Sequence, residues 1–386
     1  MDITLFPRPL QGQITVIPSK SQAHRLLICA AFADKPTRLI CPETNQDMDA
    51  TADWLRALGA GIQKTESGYT VSPVKEIPQT ALLPCRESGS TLRFLLPVVG
   101  ALGTDATFQM AGRLPQRPLS PLWEELERMG CRLSRPTETT LRCQGKLRIG
   151  DYCIDGSVSS QFITGLLFAH WLMEGCKLQI TGKTESKPYI LLTQAALALF
   201  DGRHSPGQIT VEGDWSNGAF WLAANALGSG LTVHGLNTDS LQGDRAAADL
   251  LVQLDRGKPV ISAADIPDLV PILAVCAANK HGAVFTDIRR LRLKESDRVA
   301  SVIAMLEALG GKAEADEHTL TVFPVSLQGG TVDACNDHRI AMAAAIAATA
   351  CSAPVTILGA ETVQKSYPRF WEEYTRLGGN YELYLR

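Results

Sequence analysis

Six stretches of helix-forming apolar residues recur along the chain, and a small or polar segment opens each one. The openings are Lys20-Ser21-Gln22 before LLICAAFA, Ser88-Gly89-Ser90 before LRFLLPVVGAL, and Ser159-Ser160-Gln161 before FITGLLFAHWL. Then come Ser216-Asn217 before AFWLAANAL, Asp268 before LVPILAVCAA, and Asn336-Asp337-His338-Arg339 before IAMAAAIAATA. A helix this apolar must be buried, which predicts that the polar residues at its mouth lie at a domain face. A helix start exposes unpaired N–H groups and about half a positive charge, so Ser, Asn or Gly there leaves room for a phosphate or carboxylate. Six such starts could line one anion-binding cleft.

A second pattern marks the helix ends. DWLRALGAGI, ELERMGCRLS, MLEALGGKAE and EYTRLGGNYE each close on Leu-Gly or Met-Gly, at Gly59, Gly130, Gly310 and Gly378, where glycine supplies the left-handed residue that stops a helix. Gly59 to Gly130 is 130 − 59 = 71 residues, Gly310 to Gly378 is 378 − 310 = 68, and the openings at Lys20, Ser88 and Ser159 are spaced by 68 and 71. A repeat of roughly 70 residues follows, holding one buried helix, one amphipathic helix and several strands. GQITVIP, RLIC, GYTVSP, KLQITG, QITVEG, LTVHG, AVFTDI and TLTVFP are short, β-branched strand candidates between the helices. Three units before about residue 214 and three after it predict two α/β domains of similar build.

Composition narrows the class of protein. The 386 residues are enough for about two domains, and 45% hydrophobic with 20% charged content is that of a soluble globular chain. Candidate membrane spans are interrupted by His170, Asn225 or Pro271, and MDITLFPRPL resembles neither a signal nor a transit peptide. Ten scattered cysteines without CxxC spacing point to reduced thiols in a cytoplasm. The net charge of −3 argues against broad nucleic-acid binding, so an anion site must come from locally clustered Lys and Arg. No P-loop, HExxH or GxSxG motif is present, which leaves ATPase, zinc hydrolase and serine esterase chemistry without support.

The charged motifs are individually ambiguous. IPSKSQAHRLL places Ser21 and Arg25 one helical turn apart beside Lys20, suiting a phosphate plus a carboxylate, but a solvated basic turn would look the same. ESGSTLR and GRLPQRPLSPL hold Gly89, where a ligand can approach the backbone, and Arg117 in a Pro-bounded loop. In RRLRLKESDRV, a first helical turn would project Lys294 and Arg298 together with Glu295 beside them, as would an ordinary charged surface helix. His338 and Arg339 open the last apolar helix, and VQKSYPRFW offers Lys365.

Taken in order, KSQAHR, ESGSTLR, QRP, SSQF, SKPY, DIPD, LKESDR, NDHR and QKSYP closely resemble the 5-enolpyruvylshikimate-3-phosphate (EPSP) synthase family over almost the whole chain. The resemblance implies an α/β, two-domain enolpyruvyl transferase fold. Each domain would be a threefold repeat of βαβαββ units, an inside-out α/β barrel with its buried helices pointing at an interdomain cleft. The expected domains are residues 13–213 and residues 1–12 with 214–386, joined by two crossover segments that act as a hinge. The implied reaction moves the enolpyruvyl group of phosphoenolpyruvate to the 5-hydroxyl of shikimate 3-phosphate with release of phosphate. It passes by addition and elimination through a tetrahedral intermediate, on the way to chorismate and aromatic amino acids. No metal or organic cofactor, nucleic acid or membrane is implied, and a cytoplasmic monomer that glyphosate targets is expected.

By motif match, Lys20 would contact both substrates and Ser21 with Arg25 the shikimate carboxylate. Ser159, Ser160, Ser186 and Lys294 would take the 3-phosphate, with Gln161 and Tyr189 alongside and Asp268 on ring hydroxyls. Gly89, Arg117, Gln161, Arg298, Arg339 and Lys365 would hold phosphoenolpyruvate. Lys20, Asp268, Glu295, His338 and Lys365 are the implied proton carriers and electrostatic partners, with Glu295 and Asp268 expected near the reacting carbons. Three departures stand out: His24 where the family often has Asn, Arg290 where a smaller or acidic residue is commoner, and a short segment between Arg245 and Asp268. The sister transferase acting on UDP-N-acetylglucosamine is the nearest alternative, but its reactive loop Cys is missing from GRLPQRP. An RNA 3′-phosphate cyclase on a related repeat fold is the other.

Overall fold

Helices without a polar face need cover on every side. In the computed structural model, which describes residues 1–384, two units supply it: Pro18–Glu212, and Met1–Ile17 together with Gly213–Arg386. The expected crossing after residue 12 falls inside the strand Gln11–Thr15, which pairs in parallel with Gly230–His234. Residues 13–17 therefore join the second unit instead of the domain at 13–213, and the return lies between Glu212 and Gly213.

In the Pro18–Glu212 unit, α1 (Lys20–Ala31), α3 (Gly89–Leu102) and α5 (Ser160–Met173) are the apolar helices. They alternate along the chain with the peripheral α2 (Gln46–Ala57), α4 (Leu122–Arg128) and α6 (Lys187–Leu199). Leu92, Phe94, Leu95, Leu96, Val98 and Val99 of α3 are all buried, each such side chain contributing about 1.5–3 kcal/mol. In the other unit α7 (Trp215–Ala226), α9 (Val270–Asn279) and α11 (His338–Ala348) are the buried helices. Their peripheral counterparts are α8 (Ala247–Arg256), α10 (Arg298–Ala308) and α12 (Phe370–Arg376). Every residue of α11 is buried, as its sequence requires. Gly59, Gly130, Gly310 and Gly378 all have positive φ just beyond helix ends.

Four sheets share one plan, a parallel pair extended by two antiparallel strands. In strand order they are 208–210, 37–40, 68–72, 61–65; then 80–86, 105–110, 140–145, 131–137. The second unit has 260–262, 283–286, 319–323, 312–315; and 330–333, 355–358, 2–6, 380–384. The two remaining sheets, 151–155 with 177–181 and 11–15 with 230–234, stop at the parallel pair. Among the described residues, then, four repeats carry the expected βαβαββ strands and two lack the closing hairpin. After α8 only Gly257–Pro259 precede the strand Val260–Ser262, which accounts for the short segment noted between Arg245 and Asp268.

One helix contact sets the spacing of two helix starts. Pro97 inside α3 has no N–H to return to the Arg93 carbonyl four residues earlier, and Gly165 of α5 backs onto that freed oxygen. A methyl on Gly165 would overlap the Arg93 carbonyl oxygen and lie 2.9 Å from Pro97 Cγ. Gly165→Ala is expected to destabilise the Pro18–Glu212 unit by about 1–3 kcal/mol through overpacking, read as a lower denaturation midpoint. An unchanged midpoint would show that α3 and α5 can separate freely.

Candidate functional site

Each buried helix but one starts on a side-chain cap. Ser19 accepts from Gln22 N, Ser88 from Thr91 N, Ser159 from Gln161 N, Asp214 from Asn217 N and Asp337 from Arg339 N. The exception is α9, which no side chain caps; Asp268 lies outside it, one residue before Leu269 at the cap position. The predicted openings therefore shift slightly, with Lys20–Gln22 inside the first turn of α1 and Ser216-Asn217 inside the first turn of α7.

In the Pro18–Glu212 unit, polar side chains near these starts close a ring of hydrogen bonds through five helices. His24 Nδ1 of α1 bonds Thr51 Oγ1 of α2 at 2.7 Å, and Thr51 bonds Thr91 Oγ1 of α3 at 2.8 Å. Gln161 of α5 spans back to α3, donating through Nε2 to Ser90 Oγ at 2.9 Å and accepting from Arg93 Nη1 at 2.8 Å. Thr164 of α5 bonds Thr193 of α6 at 2.9 Å, and Arg25 of α1 donates from Nε to the same Thr193 oxygen at 2.9 Å.

Several expected residues sit on this ring. Arg25 is buried and donates from Nη1 to the Ser21 carbonyl and from Nη2 to the Tyr189 carbonyl, with its guanidinium 5.0 Å from the Phe94 ring centre. Burial lowers its pKa to about 10, still well above neutrality. Of its five N–H groups, three are committed in these bonds. Lys20 pairs with Asp47 at 2.9 Å in the first turn of α2. Gly89 faces two arginines: a Cβ there would lie 2.6 Å from Arg117 Nη1 and 3.2 Å from Arg93 Nη1. Arg93 also donates to the Pro118 carbonyl at 3.1 Å, tying α3 to the loop that carries Arg117. The motifs ESGSTLR, QRP and SSQF thus meet at Gly89. Ser159 and Ser160 are buried at the start of α5. Ser186 is buried at the head of α6 with φ +55, a left-handed conformation uncommon for a residue with a side chain.

In the other unit the charges gather around Arg298, whose side chain is 1% exposed. It donates from Nε to Asp337 Oδ2 at 2.8 Å, from Nη2 to Glu295 Oε2 at 2.8 Å and from Nη1 to Asp268 Oδ1. Asp268 also meets Lys294 at 3.5 Å and Arg339 at 3.7 Å, and Arg339 donates to Asn217 Oδ1 at 3.2 Å. Burial works against ionisation of Asp268, but Lys294, Arg298 and Arg339 outweigh it and hold its pKa well below the usual carboxylate range. Burial lowers Lys294, with Asp268 opposing the shift. Arg298 is also penalised by burial, yet Asp337, Asp268 and Glu295 raise it well above its ordinary value. Lys365 donates to the backbone and side-chain oxygens of Asn336, both at 2.8 Å, and His338 is buried in the first turn of α11. Lys294 and Glu295 are not on a first helical turn as expected; they lie in the bend before α10, whose cap is Asp297. It is the Asp268 carboxylate and the Arg298 fork that bring them together.

Sequence reasoning missed Arg93, Asp47, Thr193, Asp244 and the pairing role of Asp337. Arg93 lies within a quoted motif and could have been found there; the others have partners far away in the chain. Asp244 is fully buried, accepts a short hydrogen bond from Ser216 and has its pKa raised to about 7, by burial first and then by Asp268. Among the described residues no cluster of three or more His, Cys, Asp or Glu is arranged to hold a metal ion, and no helix is long and apolar enough to cross a membrane.

The sequence matches a family model described as EPSP synthase (3-phosphoshikimate 1-carboxyvinyltransferase) over residues 6–374. A 3-phosphoshikimate 1-carboxyvinyltransferase of Clostridium kluyveri is 37% identical over 98% of this chain and 97% of its own length. The Clostridium beijerinckii protein of that name is 34% identical over 99% and 98%. Among solved structures, an EPSP synthase from Acinetobacter baumannii aligns with a TM-score of 0.79 at 20% identity, covering 100% of both chains. The enolpyruvyl transferase NikO from Streptomyces tendae aligns at 0.75 and 17%, covering 99% of this chain and 98% of its own. The last two share the fold.

Asp244 gives this cluster a pH signature. An unfolded Asp carboxyl ionises near pH ~3.9 but the folded one near about 7. Between these values the folded chain keeps a proton that the unfolded chain releases, so stability falls as pH rises through the window and the loss is constant above it. Asp244→Asn cannot ionise, so its stability relative to the parent should rise between about pH 4 and about pH 8 in chemical denaturation. A difference independent of pH would show that Asp244 does not retain the proton.

Proposed function

The chain belongs to the EPSP synthase family, and from that premise we propose that it transfers the enolpyruvyl group of phosphoenolpyruvate to the 5-hydroxyl of shikimate 3-phosphate, releasing phosphate. The observation that carries this reading is the meeting of three distant motifs at Gly89, where Arg117, Arg93, Ser90 and Gln161 surround a backbone position without a side chain. A planar donor carboxylate or phosphate suits two arginine forks. We assign Gly89, Arg117 and Gln161, with Lys20, Arg298, Arg339 and Lys365, to phosphoenolpyruvate. Lys20, Ser21, Arg25, Ser159, Ser160, Gln161, Ser186, Tyr189, Asp268 and Lys294 are assigned to shikimate 3-phosphate. Two multiply charged anions repel each other, and a dense set of cations and helix-start amides offsets that repulsion.

The chemistry needs three proton movements. The 5-hydroxyl loses a proton as its oxygen bonds C2 of the donor, and C3 gains one, giving the tetrahedral intermediate. A methyl proton and phosphate then leave, restoring the double bond. Asp268, ionised beside three cations, is a proton acceptor or hydroxyl anchor, and Glu295 joins it through the shared Arg298. Lys20, Lys365 and His338 complete the set of candidate proton carriers. General acid–base groups of this kind contribute roughly 10²–10⁴-fold each, so Glu295→Gln is a severe change in rate. The ten free cysteines fit a cytoplasmic enzyme, and we propose that it acts as a monomer.

Phosphate release from phosphoenolpyruvate should require shikimate 3-phosphate and should not occur with UDP-N-acetylglucosamine in its place. Well-folded protein that fails with shikimate 3-phosphate would overturn the assignment. Gly89→Ala should displace Arg117 and raise the KM for phosphoenolpyruvate about tenfold, with a parallel loss of glyphosate inhibition. Unchanged donor KM would remove Gly89 from the donor site.

A further inference from the structure

His24 plays no part in the reaction as proposed, yet it is 1% exposed and anchors one end of a hydrogen-bonded chain. Lys20 and His24, four residues apart on α1, face Asp47 and Thr51, four apart on α2. From Thr51 the chain runs to Thr91 Oγ1, and Thr91 donates its hydroxyl proton to Ser88 Oγ at 2.8 Å. That Ser88 oxygen is the cap of α3 and also accepts the Thr91 N–H. Thr51, Thr91 and Ser88 are each no more than 2% exposed.

Proton count sets the direction of the whole chain. A hydroxyl has one proton, and that of Thr91 is committed to Ser88, so Thr91 must accept from Thr51. The Thr51 proton is then committed, so Thr51 must accept from Nδ1 of His24. Burial lowers the His24 pKa to about 3, which makes the ring neutral with a single N–H. That N–H is at Nδ1. Nε2, buried with no hydrogen-bond partner, is left as a bare lone pair instead of a stranded donor, the cheaper arrangement for an isolated ring nitrogen.

We infer that His24 is a positioning residue for the donor site, acting through Thr51, Thr91 and Ser88 to fix the start of α3 and with it the backbone of Gly89 and Ser90. The inference rests on the reading of Gly89 as a phosphoenolpyruvate contact. A donor at Nδ1 is what the chain needs from position 24. Asn offers one the same number of bonds from the backbone, and Phe offers none.

The test compares Thr51→Val, which keeps the shape and removes the hydroxyl, with His24→Phe, His24→Asn and Thr51→Ser. Thr51→Val and His24→Phe should raise the KM for phosphoenolpyruvate about fivefold or more, with kcat and the KM for shikimate 3-phosphate within about twofold. His24→Asn and Thr51→Ser should stay within about twofold of the parent in all three. In the full-length protein, the ¹⁵N shifts of the His24 ring should report a protonated Nδ1 and an unprotonated Nε2 at neutral pH. Thr51→Val should move the amide resonances of Gly89 and Ser90. A donor KM unchanged in Thr51→Val while Gly89→Ala raises it would overturn the inference and leave the donor assignment standing. If Gly89→Ala has no effect, the donor assignment fails and this inference is overturned with it. An Nε2–H ring would overturn it in either case.

Discussion

A buried helix cannot leave its first-turn N–H groups without partners, and this chain buries six helices end-on. Ser19, Ser88, Ser159, Asp214 and Asp337 each accept one of those groups, and only α9 starts without a side-chain cap. The rest of the polar architecture is subordinate to this constraint. Hydroxyls and amides hold the helix starts together in the Pro18–Glu212 unit, whereas paired charges do so around Arg298. The two solutions differ in strength and in sensitivity. The uncharged bonds of the ring contribute on the order of 1 kcal/mol each and depend little on salt, and Arg25 and Arg93 add charge-assisted ones. Breaking a buried pair such as Arg298–Asp337 by removing one member costs about 3–5 kcal/mol, because the other charge is left uncompensated.

The charge-paired cluster also explains how carboxylates remain among so many cations without collapsing the site electrostatically. Arg298 is shared by Asp337, Glu295 and Asp268, so none of them is satisfied by a dedicated partner. A group held in a shared arrangement can exchange partners, whereas an isolated bidentate pair would have to be broken. Asp337 is the fixed member, since it also caps α11 and accepts from Ser296 at 3.1 Å. Asp268 and Glu295, 24% and 27% exposed, are the members open to solvent.

Much of this was legible in the chain. The helix starts could be read because an apolar run preceded by Ser or Asp has few other meanings, and the ends because glycine marked them at Gly59, Gly130, Gly310 and Gly378. The motif order identified the family. What could not be read were relations between distant positions: Gln161 reaching Ser90 and Arg93, Thr193 serving both Arg25 and Thr164, or Asp244 reaching Ser216. Helical periodicity misplaced Lys294 and Glu295, because a charged hexapeptide looks the same in a bend as in a first turn. One of the two missing hairpins was visible as the short segment before Asp268. The other, between α6 and the strand Gln208–Thr210, left no signal in the sequence.

The strand Asp2–Phe6 pairs with Val355–Leu358 and Asn380–Tyr384, at the opposite end of the chain. During synthesis this strand leaves the ribosome long before either of its partners and has nothing to pair with until Val355–Leu358 follows. All of Pro18–Glu212 can meanwhile gather its own three sheets from residues already made. The unit with the buried charges therefore completes its sheets only after every residue of Pro18–Glu212 has been made.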